Sequence, residues 1–172
     1  MQIALVLHNI RSTYNVGAIL RTAEGLGITK IIYSGYTPRY NDANLLPHLR
    51  EKLNHQIAKS AIGAEEFIPQ EAVDNLPNWL DEKKTQEATI FGLENNLCPE
   101  ETKQKIILGQ EKLPGTSQNL ILILGEEVAG IPPEIRAKCD YFLEIPMQGK
   151  KESFNVSVAT AIALWELTKF QK

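Results

Sequence analysis

The sequence has few of the features that assign a chain to several common classes of protein. Its only two cysteines, Cys98 and Cys139, are far apart and lack the spacing of a metal site. No apolar run approaches the ~20 residues that a membrane-spanning helix needs, and the N-terminal residues lack a basic leader and a small-residue cleavage site. We therefore expect two buried free thiols in a reducing compartment, no metal, no membrane segment and a cytoplasmic location.

The two common glycine-rich phosphate-binding motifs are also absent. No G-x-G-x-x-G follows the first predicted strand, and the chain contains no G-x-x-x-x-G-K-S/T. This absence disfavours a small nucleotide- or flavin-binding α/β domain, although that class stays open as an alternative.

Charge is unevenly distributed along the chain, although the net charge is only −3. Residues 1–60 carry seven Lys/Arg against three Asp/Glu, together with all three histidines, whereas the remaining residues carry eleven against eighteen. A polyanionic partner would therefore meet the first third of the chain more favourably than the rest. Such asymmetry also arises by chance, so it does not by itself identify a nucleic-acid-binding protein.

Apolar β-favouring runs alternate with helical patterns, which is typical of an α/β domain. The sequence predicts a mainly parallel sheet with helices on both faces. A chain of 172 residues fits one domain, 1–172, and the predicted linkers, 34–42 and 109–118, do not separate two core-sized blocks. The predicted strands are Ile3–Leu7, Lys30–Tyr33, Ala88–Leu93, Leu120–Leu124 and Tyr141–Ile145, and the predicted helices are 16–26, 43–62, 70–84, 100–108, 133–138 and 154–170.

Several residues are placed to begin or end these helices. Asn15 is a candidate cap of the first helix, with Gly25 and Gly27 at its end, and Pro132-Pro133 suits the start of the short helix that follows. The last helix is almost wholly apolar, so we expect it to be buried on more than one side. One of those sides could contact a partner subunit, or the helix could lie in the centre of the core.

The carboxyl ends of three predicted strands are the natural place for a ligand. In open α/β sheets ligands bind beyond these ends, which here follow Leu93, Leu124 and Ile145. Gly125 and Gly130 bracket a short loop that could approach a ligand closely or could be an ordinary turn.

Polar residues near two of the helices have simple structural explanations of their own. Ser153 and Asn155 could cap the last helix, although capping does not explain why they cluster with Ser157 beside Lys150-Lys151. Arg21, within the first helix, could equally be a solvated surface residue.

Three segments taken together resemble a known family. Asn15–Ala23, Leu124–Pro132 and Ile145–Ser157 are similar, in order and spacing, to the three motifs of the SpoU (TrmH-type) RNA 2′-O-ribose methyltransferases of the SPOUT superfamily. The resemblance spans roughly residues 3–167. It implies an α/β knot, in which the C-terminal part of the chain threads through a loop to form a deep trefoil knot.

The resemblance also implies an activity and its site. The activity is methyl transfer from S-adenosylmethionine to a ribose 2′-hydroxyl of tRNA or rRNA. Arg21 matches the catalytic arginine, and Asn15, Glu127 and Asn155 match positions that orient that arginine, the hydroxyl and the cofactor. The positions expected to contact the cofactor are Leu93, Leu124, Gly125, Ile145, Met147 and Ser153.

Family members act as homodimers that share an RNA-binding surface, so we expect a homodimer here. The chain resembles a near-minimal catalytic domain without the extra RNA-binding domain of many relatives, which leaves the RNA target open. A non-catalytic RNA-binding or assembly protein that retains the knotted fold is the alternative. The candidate phosphate contacts are Arg11, Arg39, Arg50 and Lys52.

Overall fold

A computed structural model describes residues 2–111, 113–114 and 118–169 and contains one seven-stranded sheet. The strand order is β3-β2-β1-β6-β4-β7-β5, and every neighbouring pair is parallel. The predicted parallel α/β architecture is therefore confirmed. The strands are β1 Gln2–His8, β2 Lys30–Ser34, β3 Gln70–Val73, β4 Thr89–Leu93, β5 Lys105–Ile107, β6 Asn119–Leu124 and β7 Tyr141–Glu144.

In the described part of the chain, five α-helices cover the two faces of the sheet. Side chains of alternate strand residues point to opposite faces, so each strand contributes to two apolar clusters. Leu5 and Leu122 pack in the cluster formed with α1, α2 and α5, whereas Val6 and Ile121 pack with α3 and α4. The helices are α1 Thr13–Gly25, α2 Pro47–Ala61, α3 Leu76–Thr85, α4 Pro133–Arg136 and α5 Val156–Thr168, with 3-10 turns at Ala64–Glu66 and Glu101–Gln104.

Two helix predictions were wrong where short strands form the edges of the sheet. The predicted helix 70–84 is strand β3 followed by α3. Asn75 caps the start of α3, because its side chain accepts a hydrogen bond from the backbone N–H of Asn78 at 3.0 Å. The predicted helix 100–108 is a 3-10 turn followed by strand β5. Both strands have three or four residues and lie at an edge, so they lack the long apolar run of a central strand.

The other predictions differ from the structure mainly at the ends of elements. The cap of α1 is Ser12, whose side chain accepts from the N–H of Asn15 at 3.2 Å, so the predicted cap Asn15 lies inside the helix. The prediction that Asn155 caps the last helix is confirmed for α5. In the predicted linker 109–118, residues 112 and 115–117 lie outside the described residues, as does residue 170 of the predicted last helix.

Helix α5 is buried on one side only. Ala163, Leu164 and Leu167 are fully buried, whereas Val158 and Trp165 are exposed. The alternative in which this helix lies in the centre of the core is therefore wrong, whereas burial of its second side against a partner subunit stays a prediction. The helix packs its inner side against the α1 side of the sheet, and its apolar outer side faces outward.

The two cysteines differ in their surroundings. Cys139 is buried, and burial raises the pKa of its thiol to about 12. Cys98 is exposed in the segment after β4, so the prediction of two buried thiols was wrong for this residue. No helix in the described part of the chain combines the length and the apolar character needed to cross a bilayer.

Candidate active site

A cavity lies at the carboxyl ends of β6, β4 and β7, which are neighbours in the sheet. Five of the six residues predicted to contact a cofactor line this cavity, and Met147, which is half-buried, does not. The five lie together because parallel strands bring their carboxyl ends to the same edge of the sheet. They are Leu93, Leu124, Gly125, Ile145 and Ser153.

Asn95 joins the loop after β4 to the loop after β7. Its side-chain Nδ2 donates to the carbonyl oxygen of Ile145 at 2.9 Å and to that of Glu152 at 3.3 Å. The backbone N–H of Ile145 donates to Asn95 Oδ1 at 3.1 Å. This side chain therefore fixes one wall of the cavity against another.

Glu94 joins the same β4 loop to the loop after β6. Its Oε1 accepts from the N–H groups of Asn95 at 3.0 Å and Asn96 at 3.1 Å. Its Oε2 accepts from the N–H of Ile131 at 3.2 Å and lies 3.7 Å from Arg136 Nη1. The sequence analysis singled out neither Glu94 nor Asn95, although both directly follow Leu93 at a strand end.

Arg136, in α4, also lines the cavity and is held by an ion pair. Its Nε donates to Glu101 Oε1 at 2.7 Å, its Nη2 donates to Glu101 Oε2, and Nη2 also donates to the carbonyl oxygen of Asn96 at 3.0 Å. These hydrogen bonds lower the pKa of Glu101 to about 2 and raise the pKa of Arg136. No sequence signal identified Arg136, because an arginine in a short helix resembles a surface residue.

The loop after β6 is a tight turn that requires Gly125. The N–H of Glu126 donates to the carbonyl oxygen of Gly130 at 3.0 Å, and the N–H of Gly130 donates back at 2.9 Å. A Cβ atom at Gly125 would lie 2.3 Å from the carbonyl carbon of Gly130, closer than any side chain allows. The backbone of the turn can therefore lie against the cavity only if residue 125 is glycine.

Three of the four residues predicted to be catalytic form one hydrogen-bonded chain beside the cavity. Asn15 Nδ2 donates to Glu127 Oε1 at 3.1 Å, and Asn155 Nδ2 donates to Asn15 Oδ1 at 3.2 Å. Glu127 itself lines the cavity. Because an amide both donates and accepts, Asn15 can link the carboxylate to Asn155.

The structure does not bring Arg21 to this chain of residues. It is exposed on α1 and does not line the cavity. Six residues of α-helix rotate it by about 240° from Asn15, so the two side chains leave α1 on different sides. Arg21 instead shares a side of α1 with Tyr14, which is 65% exposed and lies almost two full turns before it.

None of the four candidate phosphate contacts lines the cavity. Arg11 is largely exposed and lies 3.2 Å from Glu126 Oε1, at the turn after β6. Arg39 donates to Asp42 at 2.8 Å, and this bond lowers the pKa of Asp42. Arg50 is half-buried and Lys52 is exposed, both on α2.

Known proteins with similar sequences include enzymes named as RNA methyltransferases. The 23S rRNA (guanosine-2′-O-)-methyltransferase RlmB of Pseudomonas putida is 34% identical over 165 residues, which cover 96% of this chain and 58% of that protein. The chain therefore spans little more than half the length of this curated relative.

Two solved structures share the fold. The AdoMet-bound rRNA methyltransferase from Sinorhizobium meliloti has a TM-score of 0.77 and 21% identity, over 98% of this chain and 56% of that one. The A. aeolicus TrmH/SpoU tRNA modifying enzyme has a TM-score of 0.75 and 24% identity, over 98% of this chain and 74% of that one. The model of the SpoU rRNA methylase family matches residues 2–165. This match covers nearly the whole chain, so the protein belongs to the SpoU rRNA methylase family.

Proposed function

We propose that this chain transfers a methyl group from S-adenosylmethionine to a ribose 2′-hydroxyl of tRNA or rRNA. The observation that carries the proposal is the hydrogen-bonded chain of Asn15, Glu127 and Asn155 beside a cavity at the strand ends. Family membership and the name of the P. putida relative support the same reaction. We place the reaction in the cytoplasm, because its proposed substrates are there.

The cavity has the chemical character that S-adenosylmethionine requires. Leu93, Leu124 and Ile145 form apolar walls that suit an adenine ring, and the carboxylate of Glu127 suits a cationic sulfonium. Gly125, in the loop after β6, and Ser153, in the loop after β7, would also contact the cofactor. Met147 would contact it through its backbone. When bound, S-adenosylmethionine supplies an electrophilic methyl group.

The polar chain would orient the ribose hydroxyl. Glu127 is held in place by Asn15, and Asn15 by Asn155, so the carboxylate is fixed before the RNA arrives. Holding two reactants in line contributes ~7–11 kcal/mol in well-aligned reactions. Positioning by these residues would therefore supply a large part of the catalysis.

Arg21 would hold the phosphate next to the target and stabilise negative charge that develops on the oxygen. A guanidinium stays protonated in ordinary surroundings, so we do not assign it the role of a base. Because Arg21 does not line its own chain's cavity, we propose that it acts at the cavity of a second subunit.

The proposed homodimer would use an exposed apolar stripe on α5. Val158, Ile162 and Trp165 point away from the core, and Trp165 is 63% exposed. A stripe of this kind is typical of a protein–protein contact. Helix α1, which carries Tyr14 and Arg21, lies on the same face of the sheet.

We further propose that the C-terminal part of the chain forms the deep trefoil knot of the family. In support, β7 lies between β4 and β5 although it follows both in sequence, and Asn95 binds the segment that leads into α5. A crystallographic trace from β4 to α5 that passes through no loop would contradict this proposal.

The proposed activity is tested by mass spectrometry of RNA nucleosides. Total RNA is incubated with the protein and S-adenosylmethionine that carries a deuterated methyl group, and we expect the label on the ribose of one nucleoside. Glu127→Ala should lower the rate ~100-fold, because a misplaced reactant costs about that much, whereas Glu51→Ala, at an exposed position on α2, should not.

Two results would contradict the proposal. A label on a base would exclude ribose methylation. RNA binding without cofactor binding or any label would instead favour the non-catalytic alternative.

A further inference from the structure

A second cavity lies at the carboxyl ends of β2 and β3, two strands from the first, and the proposed function does not account for it. We call it the β2–β3 cavity, and its lining includes Ser34, Tyr36, Arg39, Asp42, Val73 and Asp74. Polar and aromatic side chains therefore predominate in this lining.

The two cavities open at the same edge of the sheet. Leu124 of β6 pairs with Leu7 of β1, and Leu7 pairs with Tyr33 of β2, so the three strands end at the same level. Two strand spacings of about 4.8 Å separate the loop after β2 from the loop after β6 by roughly 10 Å. A single RNA strand could therefore reach both cavities.

Arg11 lies at the boundary between them. It follows β1, the strand between β6 and β2, and lies 3.2 Å from Glu126 on the turn after β6. Its exposed guanidinium is thus placed to contact a phosphate between the two cavities.

The loop that carries Tyr36 is fixed by hydrogen bonds to the end of β1. Asn9 Oδ1 accepts from the N–H of Tyr36 at 3.3 Å, and Thr37 Oγ1 accepts from the N–H of Ile10 at 3.1 Å. Gly35 has a φ of 61°, and a Cβ there would lie 1.8 Å from Asn9 Oδ1. The loop is therefore held in one conformation before any ligand binds.

Tyr36 presents an aromatic ring from this fixed loop. The residue is 52% exposed, and its hydroxyl makes no hydrogen bond among the residues that the structure describes. An exposed aromatic ring on a fixed loop can serve as a stacking platform for a base, because every base has a π-face.

Asp74 supplies a hydrogen-bond acceptor in the same cavity. Val73 pairs with Ser34, so Asp74 lies beside Gly35, one strand away. Asp42 is engaged by Arg39, whereas Asp74 is exposed and has no hydrogen bond or ion pair in the described ranges. A carboxylate at this position can accept from the exocyclic amino group of a base.

We propose that the β2–β3 cavity binds a nucleotide that flanks the methylated one in the same RNA strand. The base stacks on Tyr36, and its exocyclic amino group donates to Asp74, so the cavity selects cytosine over uracil. This inference rests on the proposed function, because it requires that the chain act on RNA.

Fluorescence anisotropy with labelled oligocytidine and oligouridine tests the proposal on the full chain. Tyr36→Ala should weaken oligocytidine binding about 5- to 150-fold, the effect of losing one base–aromatic stack. Tyr36→Phe, which keeps the ring, should bind as the wild type does. The matched control is Phe67→Ala, since Phe67 is 74% exposed and lies before the amino end of β3.

Asp74→Ala provides an independent readout. The wild type should bind oligocytidine more tightly than oligouridine, and Asp74→Ala should bind the two equally. The variant should still bind RNA, because removal of a carboxylate also removes its repulsion of the phosphates. Affinity for S-adenosylmethionine and thermal unfolding should be the same in all these variants.

Three results would overturn the proposal. The first is oligocytidine binding by Tyr36→Ala that equals wild-type binding. The second is a loss of oligocytidine affinity in Tyr36→Phe as large as that in Tyr36→Ala. The third is a preference for cytosine over uracil that survives in Asp74→Ala. If these occur while the wild type still methylates RNA, the proposed function stands without this cavity. If the wild type neither binds an oligonucleotide nor methylates RNA, both proposals fail.

Discussion

Glu94 and Asn95 are adjacent in sequence but bind loops on opposite sides of the cavity. Glu94 accepts from the N–H of Ile131 in the loop after β6, and Asn95 binds Ile145 in the loop after β7. Two consecutive side chains thus keep three strand-end loops at fixed separations. The shape of the proposed cofactor site depends on them as much as on the residues that line its walls.

Arg136 extends this arrangement through Glu101, and the pair makes stability depend on pH. Glu101 has a folded-state pKa of about 2 against an ordinary value of 4.5, chiefly because Arg136 donates to it. The unfolded chain therefore takes up a proton first as the pH falls. The stabilisation is present above the ordinary pKa and is lost as the pH falls towards 2.

Substitution of Glu101 should therefore reduce the acid sensitivity of the protein. We expect the wild type to lose about 1–2 kcal/mol more unfolding free energy than Glu101→Gln between about pH 7 and about pH 3. Urea denaturation at the two pH values measures the difference. Glu51→Gln, at an exposed site, is the control, and an equal pH dependence in Glu101→Gln and the wild type would contradict the assigned pair.

Much of the site could be predicted from residues whose positions follow simple rules. Asn155 is a helix cap. Leu93 and Leu124 end buried strands and Ile145 directly follows one, so their convergence follows from a parallel sheet. Asn15 could not be placed correctly, because Ser12 takes the capping position and leaves the Asn15 amide free to bind Glu127. Arg136 gave no signal, since its partner Glu101 is 35 residues away in sequence.

Among the elements, central strands were predictable and edge strands were not. β1, β6 and β4 are buried on both faces and read as continuous apolar runs, whereas β3 exposes Glu71 and Ala72 and resembles a helix in sequence. Strand β5 has only three residues and follows a helical turn without a break. These two strands form because they pair with a neighbouring strand that is distant in sequence, and the local sequence contains no pattern that predicts this pairing.

Helix α5 differs from the other long helices because both of its sides are apolar. Its inner side packs in the core, and its outer side carries Trp165 and Val158. The sequence pattern indicates that both sides of such a helix should be covered. It does not indicate which side packs on the core of the same chain and which side contacts another molecule.

A charge on the outer side of α5 should prevent self-association. We expect Trp165→Glu to be monomeric where the wild type is dimeric, because burying an unpaired carboxylate in an apolar contact is costly. Size-exclusion chromatography with light scattering measures the molar mass. Phe67→Glu, at another exposed aromatic position, should remain dimeric, and a monomeric wild type would contradict the proposed stripe.

In the molecule as a whole, charge and site geometry point to the same edge. The basic first third of the chain supplies Arg39, which lines the β2–β3 cavity, and Arg11, which lies between that cavity and the cavity at the ends of β6, β4 and β7. The acidic remainder supplies Glu94 and Glu127 inside it. RNA would therefore approach over the β1–β2 side, and the cationic cofactor would bind on the β4–β7 side.

The central claim is that a complete site needs the cavity of one subunit and Arg21 of another. Arg21→Ala and Glu127→Ala are each expected to be nearly inactive alone. In a freely exchanged mixture, about half of the dimers would contain one of each chain, and each mixed dimer would have one complete site.

Methyl transfer by this mixture is the measurement that tests the claim most directly. We predict recovery of about a quarter of the wild-type rate, since one site in two is complete in half of the dimers. A mixture as inactive as its two components, under conditions where exchange of subunits is verified, would contradict the account.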